Sequence, residues 1–456
     1  MNILDEFVIQ SGNIVWGPHM LILLIGAGLF LTIRLKGIQF SRFLFSIKNV
    51  LLGARRKDGS SEKTGDISPF QALMTSLAAA VGNGNIAGVA TAIALGGPGA
   101  VFWMWVSAVV GMATKFSEVV LAIHYRKSNP DGTMLGGPML YLLDIFKWKR
   151  IGKILAAFFA FAMGMKALFS TSMVQSNSIA LALETHLGIT NWVTGILLAF
   201  VTWIVIIGGI KSVAKFTEIL APFMSIVYIL GGLSVIAIYW QAVPDVFNMI
   251  FSDAFTGTAA TGGFAGATVM NAVRYGVARG SYSNEAGIGS AAVAHSSAKT
   301  DEPVKQGLIA MMDVFIDTLV LCTLSAFVIL LTGEWLLGTT STELVTSAFV
   351  NSSLPLGGWI VVLSSILFGY SSLISWPYFG EQAFAYLFGF WIKRYYRWAF
   401  CVVVFLGSIV KVNTVWLIGD TLNGLMAIPN LLGLLMLSGI IVNITRKYFE
   451  SKLIKV

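Results

Sequence analysis

The sequence predicts an all-α integral membrane protein with about eleven transmembrane helices. Of the 456 residues, 56% are hydrophobic and only 11% are charged, whereas soluble domains carry about a quarter charged residues. The apolar residues form separate runs of roughly 20, the length that a helix needs to cross a bilayer. The predicted spans centre near these residues: Ile25, Val81, Val109, Phe169, Ala199, Tyr228, Phe264, Leu319, Ser371, Val403 and Gly433.

Basic residues occur in alternate loops between these spans, with Lys411 as the exception. The basic loops and tail cover residues 42–63, 126–153, 211–215, 274–305, 393–397 and 446–455. Because loops rich in Lys and Arg stay in the cytoplasm, we expect an extracellular N-terminus and a cytoplasmic C-terminus. The chain is therefore expected to be a multi-pass protein of the plasma or inner membrane. We therefore attribute the formal net charge of +8 to basic residues at the membrane surface. The expected partner is the lipid bilayer and not nucleic acid.

Several functional classes find no support in the residues. Cys322 and Cys401 lie inside apolar runs and are interpreted as packing residues, and the four histidines are far apart. Gly82, Gly84 and Gly88 form a GxGxxxG pattern, but a dinucleotide fingerprint needs a preceding strand. Neither an HExxH zinc pair nor a GxSxG elbow occurs. We expect no enzyme activity and no organic cofactor.

Two predicted spans contain glycine clusters where lipid favours an unbroken helix. The first is "SLAAAVGNGNIAGVATAIALGGPGAVFWMW" (76–105) and the second is "TGTAATGGFAGATVMNAVRYG" (256–276). Glycine costs about 1 kcal/mol relative to alanine in a helix, although it also permits close helix packing. Each cluster heads a block of five spans, and five is odd, so the blocks have opposite orientations. Inverted repeats with discontinuous helices at matching positions indicate a transporter binding site.

A helix unwound inside the membrane exposes backbone groups that lipid cannot satisfy. Free N–H groups at a half-helix N-terminus attract a carboxylate, and free carbonyls attract an ammonium group or a small cation. A pair of broken helices can therefore bind a zwitterionic amino acid, its carboxylate at free N–H groups and its ammonium group at free carbonyls, together with a cation. The predicted organisation is an extra N-terminal helix and basic loop (1–65), a first repeat (66–243) and a second repeat with a basic tail (244–456).

Three motifs give a specific resemblance. "GNGNIAGVATAIALGGPGAVFWMWVSAVVG", "RGSYSNEAGIGSA" (279–291) and "DTLNGLMAIPNL" (420–431) resemble the alanine or glycine:cation symporter family. The likeness implies the leucine-transporter-like fold of the amino acid–polyamine–organocation superfamily, with a 5+5 inverted repeat, two discontinuous helices and one extra N-terminal helix. It also implies sodium-coupled uptake of small neutral amino acids, chiefly alanine and glycine, by alternating access.

The resemblance assigns roles to residues of this chain. The substrate carboxylate would meet the N–H groups near Asn83 and Gly84, and the other substrate contacts would be Gln175, Thr258, Ala259, Thr261, Gly263, Phe264 and Trp376. The co-transported sodium ion would be held by Ala78, Val81, Ser371 and Ser372, because hard cations favour oxygen ligands.

Asn83 leaves two substrate classes possible, because many relatives have Thr or Ser at this position. The longer amide, which is both donor and acceptor, would either narrow the pocket towards glycine and alanine or bond a longer polar side chain such as that of glutamine. Sodium- or proton-coupled glutamine uptake is therefore the alternative. An ion channel is the alternative from another class, since broken helices also occur in selectivity filters.

Ionisable residues inside predicted spans are functional candidates by default. Lys115, Glu118 and Asp313 are expected near the cytoplasmic surface and partly solvated. Lys166 and Asp317 lie deeper, and each has either a structural ion pair or a role in ion coupling. Glu285, after the second glycine cluster, is expected to cap a helix or bond a gate.

Overall fold

The computed structural model describes residues 10–12, 14–55, 64–145, 149–256, 269–410 and 413–453. The helices of its first half are α1 (Pro18–Arg34), α2 (Ile38–Ser41), α3 (Phe43–Arg55), α4 (Pro69–Ala80), α5 (Val89–Gly96), α6 (Gly99–Tyr125), α7 (Pro138–Tyr141), α8 (Lys149–Met165), α9 (Ser172–Leu187), α10 (Asn191–Ile206) and α11 (Gly209–Ile238). A short antiparallel pair, β1 (Lys127–Ser128) and β2 (Met134–Leu135), follows α6.

The helices of the second half are α12 (Val243–Thr256), α13 (Val269–Asn284), α14 (Ser290–Ser296), α15 (Pro303–Val314), α16 (Thr323–Thr332), α17 (Ser341–Val350), α18 (Gly357–Phe388), α19 (Ile392–Ile409), α20 (Asn413–Met436) and α21 (Ser438–Leu453). Three π-helical turns occur in the described chain: Gly84–Gly88 before α5, Lys166–Thr171 between α8 and α9, and Phe315–Cys322 between α15 and α16. Such turns are frequent at functional sites.

The all-α class agrees with the sequence prediction. In the described part of the chain, five continuous helices are long and apolar enough to cross a membrane, or seven if each of two bent pairs is one span. Three shorter apolar helices include α1 and α10. The count of eleven spans and the inverted repeat remain predictions.

The helices pack in two groups. In one group α6 lies against α13 and α15, and in the other α9 and α10 lie against α19, with α9 also against α18. Helix α4 contacts α15 of the first group and α18 of the second, so the break after α4 lies where the groups meet. Large apolar side chains on α10 and α11, such as Phe200 and Ile219, are exposed. These faces suit a lipid environment, which solvates apolar side chains.

Local sequence explains where the helix before the first break begins. Ser68 accepts a hydrogen bond from the N–H of Gln71, whose side chain accepts one from the N–H of Ser68, and Pro69 occupies the first helical position. This capping box satisfies two N–H groups of the first turn, and proline is tolerated there because its nitrogen has no hydrogen to donate. The capping box fixes where α4 begins. The last residues of this helix, Ala78 to Ala80, then lie next to α18.

Candidate functional site

The first glycine cluster interrupts the helix, as the sequence predicts. Helix α4 ends at Ala80, and Val81 adopts an extended backbone (φ −71°, ψ 100°). The chain resumes as the π-helical turn Gly84–Gly88, and the two halves are bent by 54°. All residues of the break are buried, so its polar backbone faces protein and not lipid.

The N–H groups at the start of the second half are available. Gly82 donates its N–H to Asn85 Oδ1 at 3.1 Å, whereas the N–H groups of Asn83 and Gly84 have no partner among the other described residues. A helix N-terminus with free N–H groups carries partial positive charge. The pair can therefore bind a carboxylate, which is the chemistry expected at these two residues.

Four oxygen atoms that were expected to hold the cation lie together. Ser371 Oγ lies 3.0 Å from the carbonyl oxygen of Ala78 and 3.2 Å from that of Val81. Ser372 Oγ lies 3.4 Å from the carbonyl oxygen of Ala78. All four residues are fully or almost fully buried. The break in α4–α5 and the middle of α18 thus form a neutral oxygen cluster of the type that binds sodium.

Asn83 and Gln175 join the break to α9. Asn83 Nδ2 donates to Gln175 Oε1 at 2.8 Å, while Asn83 Oδ1 is buried without a hydrogen-bond partner in the described structure. A Cβ at Gly82 would lie 2.8 Å from Ser372 Oγ and 3.0 Å from Gln175 Nε2. Glycine at this position therefore lets the break approach both α9 and α18.

Trp376 lies one turn beyond Ser372 and also contacts the break. Its indole Nε1 donates to the carbonyl oxygen of Ala79 at 3.2 Å. Lys166 Nζ lies 3.6 Å from the centroid of the Trp376 ring and 3.5 Å from Glu285 Oε1. Lys166 thus has a carboxylate partner, and Glu285 bonds this lysine as well as Ser290. The pair therefore lies against one face of the Trp376 ring.

The expected solvation of three ionisable residues is wrong. Lys115, Glu118 and Asp313 are each 0% exposed. Lys115 Nζ lies 3.1 Å from Asp313 Oδ2, and Ser76 Oγ donates to the same oxygen at 2.6 Å. Glu118 Oε1 accepts hydrogen bonds from Asn430 and from the N–H of Gly287. Neighbouring helices, and not solvent, cover these groups, so their charges are compensated inside the protein.

A cavity of about 640 Å³ leads from Asn83 towards the predicted extracellular ends of the helices. Its walls come from α9 between Asn177 and His186, the start of α17 and the α18 stretch that contains Ser365. Ser365 Oγ, like Asn83 Oδ1, is buried without a hydrogen-bond partner among the described residues. The cavity gives a route to the break from one side.

Five expected substrate contacts lie outside the described residues: Thr258, Ala259, Thr261, Gly263 and Phe264. Sequence reasoning did not assign roles to Ala79, Gly82 or Asn85, although all three lie in the first glycine cluster. For Asn85 the sequence offers one signal, an amide among small residues, because its partner Asp317 is 232 positions away in the chain.

Comparison with known proteins identifies the family. The family model described as "Sodium:alanine symporter family" matches residues 1–455. The chain belongs to the sodium:alanine symporter family. The "Sodium/alanine symporter AgcS" of Methanococcus maripaludis is 46% identical over 444 residues, which cover 96% of each chain. The family consists of membrane transporters, so the chain is a transporter and not an enzyme.

Another relative and one solved structure extend the comparison. The "Probable sodium/glutamine symporter GlnT" of Bacillus subtilis is 36% identical over 456 residues, covering 99% of this chain and 92% of that protein. The structure of a Na⁺-coupled sialic acid symporter in a substrate-bound outward-open state superposes with a TM-score of 0.51 at 14% identity, covering 89% of this chain and 86% of that one. The likeness shows that the overall fold is shared with a sodium-coupled symporter.

Proposed function

We propose that this protein imports alanine and glycine together with sodium by alternating access. The observation that carries the proposal is the first break, where two free N–H groups and a cluster of four oxygens lie within one buried site. The similarity to the sodium/alanine symporter AgcS supports alanine as a substrate and sodium as the coupled ion. Sodium is the co-transported ion and no organic cofactor is needed.

The N–H groups of Asn83 and Gly84 bind the substrate carboxylate. Gln175, held by Asn83 at 2.8 Å, hydrogen-bonds the substrate, and Trp376 forms the floor of the pocket above Lys166. Carbonyls around Thr258, Ala259 and Thr261 of the second glycine cluster take the ammonium group, and Phe264 lines or caps the pocket. A zwitterion is thereby bound by backbone dipoles, without a permanently buried unpaired charge.

Sodium lies between the two helix groups. The carbonyls of Ala78 and Val81 belong to the broken helix, and the hydroxyls of Ser371 and Ser372 belong to α18. An ion that bonds both sides favours one arrangement of the groups over the other, which is the differential affinity that coupling requires. The helices within residues 66–243 form one inverted repeat and those within residues 244–456 form the other. The N-terminus lies outside the cell and the C-terminus lies in the cytoplasm.

Uptake into proteoliposomes tests the function. Purified protein is reconstituted, and uptake of labelled alanine, glycine and glutamine is measured with an inward gradient of sodium or of potassium. We expect alanine and glycine uptake with sodium alone. Uptake that is equal with potassium would contradict the sodium coupling, and uptake of glutamine but not alanine would favour the function named for GlnT. Single-channel currents without amino acid would instead support an ion channel.

A further inference from the structure

Asp317, in the π-helical turn Phe315–Cys322, is a buried carboxylate without a basic partner among the described residues. It is 0% exposed, and none of the ion pairs in the described structure includes it. The undescribed stretch 257–268 contains no Lys, Arg or His. An ionised carboxylate buried without a cation is strongly unfavourable, so such a group binds a cation or takes up a proton.

The hydrogen bonds around Asp317 fit both of its protonation states. Oδ1 accepts from Asn85 Nδ2 at 2.6 Å, and Oδ2 accepts from Ser283 Oγ at 2.9 Å and from Thr318 Oγ1 at 2.7 Å. Ser283 Oγ also lies 3.3 Å from Cys322 Sγ. Since a hydroxyl is both donor and acceptor, a proton on Oδ2 can be donated to Ser283 while the Ser283 hydroxyl turns towards Cys322.

A metal ion fits this arrangement less well than a proton. Asn85 turns its NH₂ group, and not its oxygen, towards the carboxylate, because Asn85 Oδ1 accepts the N–H of Gly82. Thr318 Oγ1 accepts from Asn284 Nδ2 at 3.1 Å and must then use its own hydrogen towards Asp317. Donors therefore surround the carboxylate, whereas a cation needs oxygen acceptors.

The other titratable groups on the helices around Asp317 are engaged elsewhere, are neutral or lie towards the helix ends. Asp313, one turn earlier, is paired with Lys115 of α6, and Arg279 of α13 is paired with Asp420. The middle of the packed elements also carries Glu118 of α6, bonded to Asn430; Tyr228 of α11, bonded to Ser325; Tyr282 of α13; and Cys322 of the same turn. The other titratable groups of these helices lie towards their ends, where each is exposed or half-buried: His124 and Tyr125 of α6; Lys211, Lys215 and Glu218 of α11; Arg274 and Tyr275 of α13; and Lys305 of α15, paired with Glu302.

We propose that Asp317 is a proton-exchange site linked to the broken helix, so that substrate and sodium binding changes its protonation. The link is a continuous chain of contacts. Asp317 bonds Asn85, Asn85 bonds the N–H of Gly82, and Gly82 lies against Ser372 and Gln175. A shift of the break on ligand binding changes the hydrogen bonds that Asp317 receives, and by reciprocity the proton changes ligand affinity. The linkage to substrate rests on the proposed function, whereas the proton site itself does not.

The variant Asp317→Asn imitates the protonated acid. Its amide oxygen can accept from Asn85 and its NH₂ group can donate to Ser283, so of the three side-chain hydrogen bonds only the one from Thr318 Oγ1 is lost. Asp253→Asn is the matched control, because Asp253 caps the N-terminus of α6 through the N–H of Gly99 at 2.8 Å and an amide oxygen accepts equally there. Difference infrared spectra of both variants and the wild type, recorded against pH without amino acid, detect the carboxylic acid directly.

We expect a carboxylic C=O band that titrates in the wild type and in Asp253→Asn and is missing in Asp317→Asn. We also expect alanine binding at saturating sodium to change up to about tenfold per pH unit in the wild type and to be independent of pH in Asp317→Asn. If no band is lost in Asp317→Asn, the proton site is refuted even where alanine fails to bind any form. A changed sodium dependence with an unchanged pH profile would place a metal ion at Asp317 and would also overturn the proposal.

Discussion

Gly82→Ala adds a single methyl group where the break meets α9 and α18. The backbone at Gly82 does not have the positive φ that favours glycine, so the variant tests space and not backbone strain. The new Cβ would lie 2.8 Å from Ser372 Oγ and 3.0 Å from Gln175 Nε2. Against a comfortable separation of about 3.5 Å, the overlaps are roughly 0.7 Å and 0.5 Å.

The methyl group must therefore displace either the hydroxyl of Ser372 or the break itself. Rotating the hydroxyl removes one proposed sodium ligand, and moving the break displaces the carbonyls that supply the others. Overpacking of this kind costs about 1–3 kcal/mol. At 1.4 kcal/mol per tenfold change, sodium-dependent alanine binding should weaken by about five- to 140-fold.

Gly88→Ala provides the matched control. Gly88 lies in the same cluster, and the nearest atom to its added Cβ is Arg279 Cδ at 3.9 Å, which is ordinary contact. Binding of labelled alanine to purified protein across a sodium titration measures both variants. We expect Gly88→Ala to bind within about twofold of the wild type, which is within roughly 0.5 kcal/mol. Equal affinities of Gly82→Ala and wild type would refute the packing of the break against Ser372 and Gln175.

Three further substitutions test the remaining parts of the site. Ser372→Ala should raise the sodium concentration for half-maximal uptake several-fold by removing an oxygen that lies 3.4 Å from the Ala78 carbonyl; an unchanged sodium dependence would locate the ion elsewhere. Gly84→Leu should abolish alanine binding in folded protein, because the added side chain would keep the carboxylate from the N–H groups and each lost hydrogen bond to a charged group costs about 1.5–3 kcal/mol; near-normal affinity would contradict the carboxylate site. Asn83→Thr should lower the preference for alanine over glutamine by about fivefold or more, because one methylene-sized change in a pocket is worth about 1–3 kcal/mol; a competition assay in which the preference is unchanged or rises would be evidence against Asn83 as a size filter.

The sequence was sufficient to predict the first break. Glycine and asparagine in the middle of an apolar span are unfavourable as regular helix in lipid, and this local conflict is visible without a structure. The resemblance to the symporter family added Ser371 and Ser372, which the structure brings to the carbonyls of Ala78 and Val81. Residue spacing alone does not predict that α18 packs against the break.

The partners of the buried charges could not be predicted. Lys115 and Asp313 are 198 positions apart, and only helix packing determines that they meet away from solvent. Lys166 and Glu285 meet through a π-helical turn and the turn after α13. A short distance along the chain from a basic loop did not predict solvent exposure, because neighbouring helices cover α6 and α15 around Lys115, Glu118 and Asp313.

A structure determined with alanine and sodium bound tests the central claim most directly. We predict density for the alanine carboxylate at the N–H groups of Asn83 and Gly84, and for a cation within about 2.3–2.6 Å of the Ala78 and Val81 carbonyls and the hydroxyls of Ser371 and Ser372. An amino acid bound away from the break, with α4 and α5 joined as one regular helix, would contradict the account.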